Sequence, residues 1–430
     1  MLERLFQLSR FGTNIKTEIL AGVTTYLTMA YIIFVNPAML ADAGMDQGAV
    51  FVATCVAAAL GCLIMGFWAN LPVALAPGMG LNAFFTYGVV LGMGHSWQTA
   101  LGAVCLSGII FFVLSLFKVR EWIINAIPET LKKAIAAGIG GFLALIALKS
   151  SGIIVDHPAT LVSLGDLTSF GPAMALFGLF MIIGLVQRNV PGGVMIAILT
   201  VTVIAVVTGH VEYQGLVSAP PSMAPTFMQM DLVAALDVAL LSVIFAFLFV
   251  DLFDTSGTLI AVTQRAGLKT SEGGVARLKQ ALMADSTASV AGAMLGTSST
   301  TSYIESASGV AAGGRTGLTA VVVGILFLLS VFIAPLAGII PPYATAGAIL
   351  YVSILMMFTL KDVNWDDLTE AAPVVVVLLL TPLTFSIAHG ITLGFITYAA
   401  AKLVGGKAKE VSISVWVVSA LLLLKVIFVG

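Results

Sequence analysis

Apolar runs long enough to cross a bilayer follow one another along almost the whole chain, separated by short polar breaks. A spanning helix needs about 20 mainly apolar residues. On that measure spans are predicted near 19–36, 49–68, 98–117, 134–150, 170–186 and 193–208, with a short one at 84–94. A second set is predicted near 236–256, 281–296, 318–339, 344–360, 373–387 and 390–404, with a short one at 305–313. The last apolar run, 411–429, fits neither set and is either an additional span or a helix along the membrane surface. If 373–404 is instead one broken span, 411–429 becomes the fourteenth.

Positive charge orients such a chain, because Lys and Arg stay on the cytoplasmic side. Arg4, Arg10 and Lys16 place the N-terminus in the cytoplasm. Lys118, Arg120, Lys132 and Lys133 follow the fourth span, Arg188 the sixth, and Arg265, Lys269, Arg277 and Lys279 the eighth. Segments 37–48, 151–169 and 209–235 carry neither Lys nor Arg and are expected outside. Seven crossings in the first half leave the second half upside down.

Internal similarity points the same way. Ile127-Pro128 precedes a span ending in Lys149, and Ile340-Pro341 one ending in Lys361. Pro172 opens the sixth span and Pro373 the thirteenth. PGMGLNAFF at 77–85 has a counterpart in GTSSTTSYIES at 296–306. The halves are related at an offset of roughly 200–220 residues, the pattern of inverted-repeat transporters.

Those last two stretches interrupt the helical pattern. Pro77 has no N–H to donate, and Gly78 and Gly80 allow close backbone approach. Gly296 to Ser302 is rich in Thr and Ser, which suits an extended strand. Backbone leaves the helix inside a membrane only where protein or a water-filled cavity receives it. One reading is two half-helices whose N-termini meet near the midplane and hold polar ligand atoms. The other is surface turns between ordinary helices; the length of the breaks, their matched positions and Glu305 beside the second weigh against it.

Composition agrees with a polytopic membrane protein: 59% hydrophobic, 9% charged, mean hydropathy +1.09. Soluble domains carry roughly 25% charged residues. A net charge of −2 gives no attraction to nucleic acid. The four His have no metal-ligand spacing, and no metal or cofactor is implied. Cys55, Cys62 and Cys105 lie in apolar runs and read as small buried hydrophobes. Lys149, Lys361 and His389 lie near span ends and reach the interface.

Against that background the intramembrane acids stand out, since a charge at membrane depth costs on the order of 3 kcal/mol or more. Asp254 lies in LFVDLFDTSGTL and Glu305 at the head of the tenth segment. Asp251, Asp254 and Thr258 recur at helical spacing and are expected on one face, with Gly257 admitting a second backbone. Asp251 either supports Asp254 or caps a neighbouring strand. Asp285, in ALMADSTASV, is either part of the site or a packing group bonded to hydroxyls. Asn82 offers a donor and an acceptor beside the first break. A carboxyl buried without a cation keeps its proton more readily, the chemical requirement for proton coupling. A carboxylate also accepts two parallel N–H bonds from a planar heterocycle. Together these groups predict a neutral, flat, hydrogen-bonding solute.

Four stretches in order, TYLTMAYIIFVNP at 25–37, APGMGLNAFFTYGVV at 76–90, FVDLFDTSGTL at 249–259 and TSYIESASGVAAGGRTGLTA at 301–320, give the chain its family likeness. It resembles the AzgA-like branch of the nucleobase–cation symporter-2 family, the bacterial and fungal purine permeases, over essentially its whole length. The resemblance implies an all-α fold of fourteen transmembrane segments in two inverted seven-segment repeats, with short strands in segments 3 and 10. It implies a core domain (17–120 and 230–340) and a gate domain (121–210 and 341–430). Binding of the base is implied for Asp254 and Glu305, with Asn82, Thr258, Gly80 and Ser302 beside them. Proton coupling is implied for Asp254, Glu305, Asp251 and Asp285. Uracil permeases carry a histidine where Thr258 stands, so a proton role there is not carried over. The form APGMGLNAFF is closer to the guanine/hypoxanthine permeases than to the adenine permeases. The implied setting is the bacterial inner membrane, with purine, protons and lipid as partners and a homodimer through the gate domains admitted by the likeness.

Two other classes compete. An anion transporter on the same architecture would want a basic or neutral lining, against two acids. An intramembrane aspartyl protease would share one proton between its acids, but its GxGD motif is missing, as is any Ser/His pair on facing spans.

Overall fold

Inside a bilayer every peptide group must find its partner within the protein, so the apolar runs become helices. The computed structural model describes residues 2–117, 127–213, 215–237, 240–268 and 277–428. Lys118, Arg120 and Lys269 of the charge pattern fall outside these. Among the described residues nine helices are long and apolar enough to cross a membrane. The helices named below are α1 Ile15–Met29, α2 Ile32–Asp42, α3 Gln47–Ile64, α4 Met79–Ala83, α5 Trp97–Leu116 and α6 Glu129–Ser150. They continue with α7 Phe170–Gln187, α8 Gly193–Val207, α9 Leu241–Arg265, α10 Leu278–Leu295 and α11 Ser306–Ala311. The last five are α12 Gly317–Ser330, α13 Pro342–Met357, α14 Leu368–Leu383, α15 Ile387–Val404 and α16 Ile413–Phe428.

Several boundaries differ from the hydropathy reading, for local reasons. The first span is two helices, broken at Ala30 and Tyr31, with Pro37 inside the second. The eighth runs on to Arg265, because its polar C-terminal half is helical though not apolar. Pro373 does not open its helix: α14 starts at Leu368, where the Asp367 side chain accepts from Thr369 N and caps a polar first turn. α14 and α15 pack side by side as two helices rather than one broken span, and α16 is a further helix lying against α15. A small hairpin, Ile154–His157 with Leu161–Leu164, was not foreseen in 151–169.

The helices pack as two bundles. In one, α1, α3, α5, α10 and α12 pack on one another, with α9 against α5 and α11 against α1. In the other, α6 lies against α13, α14 and α15, and α7 joins α8 to α13. The first bundle closes tightly where α3 ends: a Cβ on Gly317 would sit 2.0 Å from the Gly66 carbonyl oxygen. Glu18 of α1, fully buried, accepts from Arg315 N at 2.9 Å and Thr319 Oγ1 at 2.6 Å, so one carboxylate holds the N-terminus of α12. In the second bundle Lys402, also buried, pairs with Glu370 at 2.5 Å and Glu410 at 2.7 Å, tying α14, α15 and the segment before α16 together.

Candidate functional site

The two breaks in the helical pattern meet inside the first bundle. Leu75–Pro77 and Thr300–Ser302 pair antiparallel, Ala76 opposite Thr301. Gly78 N donates to Ser299 O and Tyr303 N to Ala74 O, each at 2.9 Å, which extends the ladder past both strands. Pro77 has no N–H, and its carbonyl takes the Tyr303 hydroxyl instead, at 2.5 Å. Backbone that has left the helix is thereby satisfied within the protein. α4 and α11 begin where the strands end and run away from each other.

α9 lies across this crossing and presents two different faces. Residues three apart on a helix differ by about 60°, enough to separate Asp254 from the line through Asp251 and Thr258. Asp251, Thr255 and Thr258 are buried, whereas Asp254, Gly257, Ala261 and Gln264 are exposed. The acids of this helix therefore do not share one face, contrary to the spacing argument. A Cβ on Gly257 would meet nothing within 4 Å.

The exposed stripe runs along the C-terminal half of α9. The N-terminal half of α9, from Ala246 to Leu252, is buried, and exposure begins beyond it at Asp254. Ile304, 44% exposed, and the half-buried Glu305 stand at the head of α11, which packs on α9. The carboxylates of Asp254 and Glu305 lie within electrostatic reach of each other. Among the described residues neither has an ion-pair partner, and no group of His, Cys, Asp or Glu is placed to hold a metal ion. Tyr31, at the break between α1 and α2, donates to Glu305 Oε1 at 2.7 Å. The bundles touch at Gly88, and aromatic pairs pack within each of them. Phe84 packs on Phe247 with ring centroids 5.0 Å apart, Phe142 on Phe385 at 6.0 Å, and a Cβ on Gly88 would come within 3.1 Å of the Phe385 carbonyl.

Behind Asp254 lies a closed set of acids and hydroxyls. Thr255 Oγ1 and Ser302 Oγ each donate to Asp285 Oδ1 at 2.9 Å. Ser289 Oγ reaches Asp251 Oδ2 at 3.1 Å. Asp285 Oδ2 has no hydrogen-bond partner among the described residues. Ser302 is thus bonded to Asp285 rather than turned to the exposed stripe.

Three other residues expected beside the ligand are placed elsewhere. Asn82 is fully buried and accepts from Ser298, so it joins the first break to the second. Gly80 is a packing contact: its Cβ would stand 2.6 Å from Ile139 of α6. Thr258 is buried on the Asp251 face. The sequence reading missed Tyr31, which donates to Glu305, and Tyr303, whose hydroxyl donates to the Pro77 carbonyl. A tyrosine in mid-span, away from the interfacial belt where tyrosines collect, was the available signal. Asn36 was missed as well: its amide donates to Thr54 at 2.7 Å and to Thr297 at 2.8 Å, anchoring the start of the second break.

Known proteins resemble this chain closely in sequence. The family described as "Permease family" matches residues 16–393. The adenine permease AdeP of Escherichia coli is 50% identical over 429 residues, covering 100% of this chain and 96% of that protein. The guanine/hypoxanthine permease PbuG of Bacillus subtilis is 46% identical over 422 residues, 95% of this chain and 96% of its own. Among solved structures, the transmembrane domain of the cyanobacterial bicarbonate transporter BicA superposes with a TM-score of 0.65 at 15% identity. It covers 90% of this chain and 97% of that one, a likeness of fold alone.

Proposed function

This chain belongs to the permease family, in its AzgA-like purine-permease branch, and from that premise we propose that it imports purine nucleobases across the inner membrane as a proton-coupled transporter. The observation that carries the reading is that Asp254 and Glu305, two carboxylates with no ion-pair partner among the described residues, lie within electrostatic reach of each other where α9 packs on the head of α11. Glu305, aimed by Tyr31, accepts ring N–H groups of the base. Asp254 takes the opposite edge or carries the proton. Asn82 and Ser302 hold the crossing that positions them, while Thr258 lies on the buried face of α9 and Gly80 packs on Ile139.

The same reading treats the chain as fourteen segments in two inverted repeats, N-terminus in the cytoplasm. The first bundle then serves as the core domain and the second as the gate. The two rock about the site to expose it alternately, and the present state is the inward-facing one. Guanine and hypoxanthine are the leading substrates from the form of the first break. Adenine is the second reading, favoured by the 50% identity to an adenine permease. An anion substrate is disfavoured by the two carboxylates.

The test is uptake of labelled hypoxanthine, guanine and adenine into cells lacking their own purine permeases, with and without a protonophore. Saturable, protonophore-sensitive uptake of at least one base is expected. Glu305→Gln retaining full uptake would remove that side chain from the site, and no uptake of any base would sink the reading.

A further inference from the structure

Glu305 heads a segment that runs back along α1 as far as Arg315, with α11 packed on α1 between them. Tyr31, just past the end of α1, donates to the Glu305 carboxylate at 2.7 Å. One turn back, Thr28 Oγ1 lies 3.0 Å from Ser308 Oγ. Another turn back, a Cβ on Gly309 would stand 2.1 Å from Thr25 Oγ1 and 2.6 Å from the Ala21 carbonyl oxygen. At the far end Glu18 accepts from Arg315 N at 2.9 Å. Residues 18, 21, 25 and 28 recur at three and four, so they form one face of α1. Their partners climb from 305 to 315 as the α1 positions fall from 31 to 18. The two segments are therefore antiparallel and held in one register, over about 15 Å from Glu18 to Thr28 alone.

Within that register Ser308 reaches the residue that carries the ligand carboxylate. Its hydroxyl donates to Glu305 O at 2.7 Å, and a serine has one proton to give. In the bond it shares with Thr28, Thr28 is then the donor. Thr28 Oγ1 also lies 2.8 Å from Thr25 O, so its proton is divided between its own helix and α11. Tyr31 thus holds the side chain of Glu305, and the Thr28–Ser308 pair holds its main chain. α11 spans six residues, too few to keep a direction without packing. A carboxylate that must meet two parallel N–H groups tolerates a misalignment of only about 10–20°.

We infer that Thr28 is a positioning residue for purine recognition: through the Ser308 hydroxyl it anchors the main chain of Glu305 to α1. Glu18 and Gly309 set the register in which that bond forms. This inference rests on the purine reading above, because it takes Glu305 as the ligand group.

The experiment measures initial rates of labelled-purine uptake over a range of concentrations, at equal membrane abundance. Thr28→Val keeps the shape of the side chain and removes its hydroxyl, whereas Thr28→Ser keeps the hydroxyl and removes the methyl. Loss of one neutral hydrogen bond is expected to raise KM about fivefold in Thr28→Val, with Vmax within about twofold of wild type. Thr28→Ser is expected to restore KM to within about twofold. A packing role would follow the methyl instead of the hydroxyl. Combined with Tyr31→Phe, Thr28→Val should raise KM by less than the product of the two single effects, since both changes release the same group. Ser308→Ala breaks the link from the α11 side and should raise KM by the same factor, which keeps the test decisive if Thr28→Val does not reach the membrane. Wild-type KM in Thr28→Val or Ser308→Ala, failure of Thr28→Ser to restore KM, or fully multiplicative effects in the double variant overturn the inference and leave purine transport standing. Failure of the wild type to take up any purine sinks the parent reading instead.

Discussion

Tyr31 and Glu305 are joined by a 2.7 Å hydrogen bond although 274 residues separate them in the chain. The phenol comes from a helix break and the carboxylate from the turn that opens α11. The bond fixes the direction of a group that has no ion-pair partner among the described residues, and it does so without cancelling its charge. Removing the phenol oxygen therefore leaves the carboxylate present but poorly aimed. Tyr31→Phe is expected to lower kcat/KM for purine uptake about tenfold, the size of one hydrogen bond to a charged group. Glu305→Gln should lower it much further. Initial-rate uptake at equal membrane abundance measures both, and a Tyr31→Phe protein with wild-type kcat/KM would show that the bond does not position the ligand.

The exposed stripe of α9 gives a second expectation. Ala261 lies on the exposed stripe of α9, whereas Val89, in the segment after α4, is fully buried. The three native cysteines are buried, so background labelling is low. In inside-out vesicles Ala261→Cys should react with a membrane-impermeant maleimide, and Val89→Cys should not. In right-side-out vesicles both should stay unlabelled. Bound purine should slow labelling of Gly257→Cys, one turn from Asp254. Labelling of Ala261→Cys only from the outside would reverse the proposed orientation.

Outside the membrane-spanning segments one ionisable group bears on stability. Hydrogen bonds from Lys407, at 2.6 Å, and from Thr369 hold the Asp367 carboxyl down to about 2. A carboxyl lowered on folding stabilises the fold fully above its ordinary value, near 4, and loses that contribution as pH falls toward 2. The cluster that carries it also fixes Lys402 and the segment leading to α16. Thermal unfolding of detergent-purified protein should therefore shift to lower temperature between about pH 5 and pH 3. Asp367→Asn should start lower and change less over that interval. Identical slopes in the two proteins would remove Asp367 from the acid response.

Hydropathy reveals most spans because each is an unbroken apolar run, and it fails where a helix is polar or a strand is short. α9 was cut short at its acids, and α14 lost its first turn to Thr369 and Glu370. The breaks were visible as Pro, Gly and Thr clusters, but which backbone atoms pair across them depends on residues more than 200 positions apart. Face assignments failed for the same kind of reason. Spacing alone could not say whether Asp251 or Asp254 is exposed, since only the packing of α10 and the second strand decides. Glu18 is absent from the sequence reading because nothing local marks it as the cap of a helix almost 300 residues on. Asn82 and Gly80 looked like ligand contacts because they flank a break. Tertiary packing uses one as a clasp and the other as clearance.

The acids behind Asp254 make the last prediction. Asp251 and Asp285 are buried, and their recorded partners are the hydroxyls of Thr255, Ser289 and Ser302. Two carboxyls so placed need a proton or a small cation between them, because uncompensated buried charge is strongly unfavourable. Ser302 belongs to the strand that leads into Glu305, so the charge state of the pair and the position of the ligand carboxylate share one piece of backbone. On the proton-coupled reading, this pair is a candidate for the coupling step beside Asp254. If the pair carries the coupling ion, Asp285→Asn fixes a neutral group where that exchange would occur. The variant should still exchange labelled for unlabelled purine across the membrane, within about threefold of wild type, because Asp254 and Glu305 are untouched. It should fail to concentrate purine against a gradient, and its exchange rate should no longer depend on pH. Uphill accumulation by Asp285→Asn would locate coupling elsewhere, with Asp254 the next candidate. Loss of exchange in a folded protein would make the pair a structural clamp on the second strand instead.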